Sequence, residues 1–72
     1  MSVLQTKIAD QRRTHNITQG ELADLVGVRR ETIVRLEKGL YNPSLKLAYD
    51  ISRVFSMKIE ELFEFIEDAE DE

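Results

Sequence analysis

The groups with the most recognition chemistry lie between positions 29 and 38. Arg29, Arg30 and Arg35 carry guanidinium groups, and an arginine fork can donate bidentately to O6 and N7 of guanine. Arg30 and Arg35 stand five positions apart. On a helix they do not share one strict face, so they would reach different places. Arg30 is the first candidate for such a contact and Arg35 the second. Glu31 can accept a hydrogen bond from N4 of cytosine, or it can pair with Arg35 at i, i+4. The competing account of the three arginines, an ordinary solvated basic face, stays open at this point.

Other chemistries find no residues to carry them. The 72-residue chain has no cysteine, which excludes disulfides, thiolate metal sites and cysteine nucleophiles. His15 is the single histidine, lies in a loop, and cannot hold a metal without carboxylate help. Glu60, Glu61, Glu64, Glu67 and Asp68 cluster near the end. A solvated helix face running into a frayed tail explains them better than acid–base catalysis or metal binding. No nucleophile–base pair and no phosphate-cradling glycine loop occurs. The expectation is a protein that is not an enzyme and uses no cofactor.

The formal net charge is −4, at first sight the wrong sign for a polyanionic partner. Its distribution reverses that impression. Residues 1–58 hold all ten Lys and Arg against six Asp and Glu, whereas residues 59–72 hold eight acids and no base. A basic body is followed by an acidic end, and a whole-chain charge is a poor guide to such a segregated sequence. No apolar run approaches the ~18 residues of a membrane span. Met1 to Gln5 lack the basic start and apolar run of a signal peptide. A cytoplasmic location is therefore expected.

The elements that must position these groups follow from apolar spacing and caps. Apolar residues make up 42% of the chain, enough for one small folded domain. Five helices are expected, at about residues 4–14, 18–26, 29–38, 44–55 and 59–66. Thr18 with Glu21 three residues later forms a capping box at the start of the second, after which Leu22, Ala23, Leu25 and Val26 should face the core. The third offers Ile33 and Leu36, with Thr32 beside them, and should stop at Gly39. Ser44 can cap the fourth, whose apolar set is Leu45, Leu47, Ala48, Ile51, Val54 and Phe55. The alternation Phe63-Glu64-Phe65 leaves two readings open: the end of the fifth helix, or a strand pairing with Val3 and Leu4 as a two-stranded ribbon. Beyond Asp68 the sequence is almost purely acidic and reads as disordered.

Residues Gln19 to Lys38 meet the demands of two short helices joined by a tight turn. Ala23 is small enough for close helix approach, and Gly27 tolerates the positive φ of the turn. Leu22, Val26, Val28, Ile33 and Leu36 supply the buried side. With these stand Asn16-Ile17-Thr18-Gln19, Glu21, Thr32, Glu37, Gly39 and the block Tyr41-Asn42-Pro43-Ser44-Leu45. On these residues, from about 7 to 63, the chain resembles the Cro/repressor type of helix-turn-helix regulators, the XRE-like family, in its minimal stand-alone form.

The resemblance implies an all-α, five-helix, lambda-repressor-like DNA-binding domain at residues 1–66, followed by an acidic disordered tail at 67–72. It implies that Gln19 meets the DNA backbone and that the third helix enters the major groove. Arg29, Arg30 and Glu31, at the leading end of that helix, would meet base edges, with Thr32 beside them in the interface and Arg35 a turn further. Lys38, Tyr41 and Asn42 would meet phosphates beyond it. Arg12 and Glu37 match the family's structural ion pair. Arg29 departs from the usual Ser or Thr cap of the third helix, at a cost of roughly 0.5–2 kcal/mol, but brings a further positive charge to the DNA-facing end. Lys58 likewise replaces the usual cap of the last helix.

Phe55, Met57, Ile59, Leu62, Phe63, Phe65 and Ile66 are more apolar groups than the edge of so small a domain needs. The surplus, chiefly Phe65 and Ile66, is expected to be a homodimer surface. The expected partner is double-stranded DNA carrying an inverted repeat, with repression as the commoner outcome in the family. No effector pocket for a small molecule and no membrane association are expected. The alternative of another class is a protein-interaction module, similar to an antitoxin, that docks a partner through its apolar, acidic end.

Overall fold

A computed structural model of the chain describes residues 2–67. It contains five helices and a two-stranded ribbon. The elements are β1 (Ser2–Thr6), α1 (Ile8–Thr14), α2 (Gln19–Val26), α3 (Arg30–Glu37), α4 (Leu45–Val54), α5 (Ile59–Leu62) and β2 (Phe63–Glu67).

The helix starts follow local chemistry. The Thr18 hydroxyl accepts from the Glu21 N–H at 3.0 Å, while the Glu21 carboxylate accepts from the Thr18 N–H at 2.8 Å, a complete capping box. Ser44 Oγ accepts from the Leu47 N–H at 3.1 Å. Arg29 and Lys58 occupy cap positions without an acceptor oxygen to offer. At Lys58 half a box survives, because Glu61 accepts from the Lys58 N–H at 2.8 Å.

The ends of α1 to α4 share one device. Asn16, Gly27, Gly39 and Ser56 adopt φ of 57°, 75°, 74° and 55°. After each, the next N–H reaches back to a carbonyl five residues earlier: Ile17 to Arg12, Val28 to Ala23, Leu40 to Arg35, and Met57 to Ser52, at 2.9–3.0 Å. These bonds satisfy carbonyls that a helix end otherwise leaves unpaired. Gly39 has a second reason to lack a side chain: a Cβ there would lie 2.5 Å from the Leu4 carbonyl oxygen. The end of α3 thus rests directly on β1.

The ribbon resolves the ambiguity at both termini of the domain. β1 and β2 pair antiparallel, with Val3 opposite Ile66, Leu4 opposite Phe65 and Thr6 opposite Phe63. Leu4 and Phe63 face inward and are buried, whereas Val3, Gln5, Glu64, Phe65 and Ile66 are exposed; β1 alternates with the period of two of a strand, while β2 beyond Phe63 is exposed throughout. The first helix therefore starts at Ile8 rather than near residue 4, and the fifth stops at Leu62 rather than 66. Ladder bonds between the two segments outweigh the continuation of either helix. Glu67, expected to begin the tail, closes β2 opposite Ser2; the rest of the expected tail, 68–72, lies outside the described residues.

Every helix contributes to one core. Ile8, Leu22, Ile33, Leu36, Ile51 and Leu62 are its fully buried large side chains, with Leu4, Ala23, Leu47, Ala48, Phe55 and Phe63 around them. Two expected core residues stand outside it. Leu25 is 63% exposed and Leu45 77% exposed. On α2, Leu22, Ala23 and Val26 fall within one arc of about 100°, and Leu25 lies beyond it. Leu45 opens α4 before that helix has reached the core.

Candidate nucleic-acid interface

α2 and α3 pack against each other through Leu22, Ala23, Ile33 and Leu36. This burial commits one side of α3 inward and turns Arg30, Glu31, Arg35 and Lys38 to solvent. Thr32 and Val34 are half-buried. Arg29 precedes it with an extended backbone, φ −80° and ψ 154°, and its side chain is exposed. Among the described residues no ion pair joins Glu31 to Arg35, so the i, i+4 alternative for Glu31 is not formed. A convex helix presenting two arginines, a glutamate and a lysine has the width and donor pattern that a major groove accepts.

A second group of residues gathers behind this helix. Arg12 Nε donates to Glu37 Oε2 at 2.8 Å, and its Nη2 to Oε1 at 3.4 Å. Both side chains are largely enclosed, at 13% and 9% exposure. Arg12 Nη1 also donates to the Ile17 carbonyl at 3.1 Å. The pair thereby ties α1, the turn before α2, and the end of α3 together. Gln19 joins it, donating from Nε2 to Glu37 Oε1 at 3.0 Å. Arg30 Nη2 in turn donates to Gln19 Oε1 at 3.0 Å. Four residues from three helices thus form one hydrogen-bonded chain that ends at the exposed guanidinium of Arg30.

Beside that chain, Arg12, Arg13, Asn16, Ile17, Thr18, Gln19, Gly20 and Arg30 line an open hollow at the N-terminus of α2. The first N–H groups of a helix have no intrahelical acceptor. The Thr18 hydroxyl takes that of Glu21, which leaves those of Gln19 and Gly20 at the hollow. With arginines on either side, such a place is suited to a phosphate. Among the described residues, Arg13 has a solvent-exposed contact with Asp10 at 3.7 Å.

Not every candidate residue joins these two surfaces. Tyr41 and Asn42 are exposed in the segment between α3 and α4. Asn42 borders a different, apolar groove, shared with Leu4, Pro43, Leu45, Ala48, Ile59, Phe63 and Phe65. Phe65 and Ile66 lie on β2, 55% and 39% exposed. His15 packs its ring on Phe55 with centroids 5.2 Å apart and bonds through Nδ1 to the Gln11 carbonyl at 2.8 Å, which gives it a structural place. The bonds from Gln19 to Glu37 and Arg30 span 18 and 11 residues. No periodicity or cap signals them, so only the assembled fold reveals them. Among the described residues no group of three or more potential ligands is placed to hold a metal ion. None of the described helices is long and apolar enough to cross a membrane.

A short helix packed on its predecessor at Ala23, across a turn made by Gly27, with a polar, cationic outer face, defines a DNA-binding helix-turn-helix. The chain belongs to the helix-turn-helix family, whose profile matches residues 8–62, and it is a transcriptional regulator of the XRE-like type. It is 63% identical over 65 residues to an HTH-type transcriptional regulator of Archaeoglobus fulgidus, a match covering 90% of this chain and 92% of the relative. Among solved structures, the transcriptional regulator VanUg has a similar fold, with a TM-score of 0.76 at 22% identity, covering 93% of this chain and 89% of VanUg. The clp gene regulator ClgR of Corynebacterium glutamicum matches 75% of this chain with a TM-score of 0.69 at 20% identity. The present chain spans 57% of the length of that structure.

Proposed function

We propose that the protein is a homodimeric, sequence-specific repressor that binds an inverted repeat in double-stranded DNA. The observation that carries this reading is the outer face of α3, where Arg30, Glu31, Arg35 and Lys38 are exposed together while Ile33 and Leu36 anchor the helix from behind. Arg30 and Arg35 read guanines, Glu31 reads a cytosine amino group, and Arg29 and Lys38 meet phosphates at the two ends of the helix. Gln19 and the hollow at the start of α2 receive a further phosphate. Tyr41 and Asn42 extend the backbone contact beyond α3.

The dimer forms through the ribbon end, with Phe65 and Ile66 at its centre. Val3, Leu45, Phe65 and Ile66 are large apolar groups exposed there, and a two-stranded ribbon leaves an unpaired edge on each strand. Two recognition helices carried by such a dimer enter successive major grooves about 34 Å apart. Occupancy of that site excludes polymerase. This activity belongs in the cytoplasm and requires neither a cofactor nor a small-molecule effector.

Selection from a randomised duplex pool at about 150 mM salt, where screening suppresses weak non-specific contacts, tests the reading. An enriched inverted repeat is expected, with half-sites about one helical turn apart. Failure of the folded protein to enrich any sequence would refute it and favour a protein-docking role for the apolar, acidic end.

A further inference from the structure

The exposed apolar groups at the ribbon end stand among charges of one sign. Glu64 and Glu67 flank Phe65 and Ile66 on β2. Ile59, which lines an apolar groove with Phe63 and Phe65, is followed by Glu60. These three carboxylates are exposed, and among the described residues none of them forms an ion pair. Little around them offsets the charge. β1 carries no charged residue, and neither does the segment 39–45. Lys46, at the start of α4, is bonded to Asp50 at 2.9 Å. Lys7 borders a hollow with Glu60, Glu61 and Glu64, one base against three acids. Lys58 precedes α5.

A two-fold dimer sets the same patch of each copy against the other. Covering Phe65 and Ile66 with a second copy therefore brings a second Glu60, Glu64 and Glu67 toward the first set. Apolar burial favours the association, and the carboxylates oppose it. The opposing charges are exposed, so dissolved ions screen them.

We propose that this acidic frame gives dimerisation a salt dependence opposite to that of DNA binding. Added salt tightens the dimer at the ribbon end while it loosens the phosphate contacts of the α3 face. The inference rests on the homodimer reading and concerns the regulation of that interface. At low ionic strength repulsion holds the chain toward the monomer. Below the dimer dissociation constant the two effects partly cancel. Binding to an inverted repeat then falls less steeply with salt than binding to a single half-site.

The experiment measures dimer dissociation of the full chain by analytical ultracentrifugation. Two NaCl concentrations are used, about 10 and about 150 mM, where the Debye length is about 30 and about 8 Å. The native constant is expected to fall about three- to tenfold at the higher salt, as several like-charge pairs are screened. The comparison variants are Glu64→Gln/Glu67→Gln and Glu60→Gln/Glu64→Gln/Glu67→Gln, which keep the apolar groups. At the lower salt each should dimerise at least about threefold more tightly than the native chain. At the higher salt their constants should converge on the native one. A general effect of salt on apolar burial moves native chain and variants alike and produces no convergence. The double variant leaves α5 untouched, so it decides the matter if the triple variant does not fold. For a dimer too tight to dissociate, subunit exchange between labelled chains ranks the same samples.

A native dimer indifferent to salt, or loosened by it, overturns the proposal and leaves the homodimer standing. So does a folded double variant whose gain at the lower salt is smaller than expected. A folded native chain that stays monomeric at both salt concentrations refutes the homodimer reading itself, and this inference with it.

Discussion

Gly27 and Gly39 provide a matched pair of perturbations. Both are helix-ending residues with nearly equal positive φ, 75° and 74°. An added Cβ meets nothing within 4 Å at Gly27, but at Gly39 it falls 2.5 Å from the Leu4 carbonyl oxygen. Gly27→Ala therefore incurs only backbone strain, about 1–2 kcal/mol. Gly39→Ala incurs the same strain plus displacement of β1, an overpacking term of about 1–3 kcal/mol. The obstructing atom belongs to the backbone, so no rotamer change relieves it. The expected difference between the variants is the overpacking term alone. In a domain of this size it lowers the melting temperature of Gly39→Ala by at least about 4–8 °C relative to Gly27→Ala. Urea unfolding followed by circular dichroism measures it, with equal m-values showing that both variants unfold from equally compact states. Equal stabilities would mean instead that the ribbon moves freely against the end of α3.

Arg29→Ser should restore a cap to α3 and raise stability by about 0.5–2 kcal/mol, while weakening DNA binding through loss of a cation; thermal melting and a binding isotherm read the two effects separately. Arg30→Ala should lower affinity for the selected site by about 1–3 kcal/mol and relax one base position. Lys38→Ala should weaken binding to all sequences alike and reduce the salt slope by about one, as fluorescence anisotropy across a salt series will show. Replacing Phe65 and Ile66 together by Asp should leave the fold intact, since both are exposed, and yield a monomer by analytical ultracentrifugation with much weaker binding to an inverted repeat. A dimer that persists in that variant would place the interface elsewhere.

The parts of this protein legible from sequence are those set by neighbours along the chain. Thr18 and Glu21 form their capping box within a single turn. Gly27 and Gly39 end their helices because each turn needs a positive φ. The alternation of Ile33 and Leu36 with Arg30, Glu31 and Arg35 already assigns an inner and an outer side to α3, because a helix of period 3.6 segregates them. The helix-turn-helix and the exposed face of α3 follow from such local rules, and family resemblance reinforces them.

Tertiary structure decided what depends on partners distant in sequence. Residues 2–6 and 63–67 become strands only because each supplies the other's ladder; read separately, each segment continues a helix as plausibly. Leu25 and Leu45 look like core residues by type, yet a short helix has only a limited inward arc, and both fall outside it. The same holds for the bonds from Gln19 to Glu37 and Arg30. Sequence supplied Gln19 as a candidate, but not its bonds across α2 and α3, because hydrogen bonding at 3.0 Å depends on how whole helices are placed. Local chemistry wrote the elements and their polarity, whereas the closing of one small core determined which of their exposed groups meet.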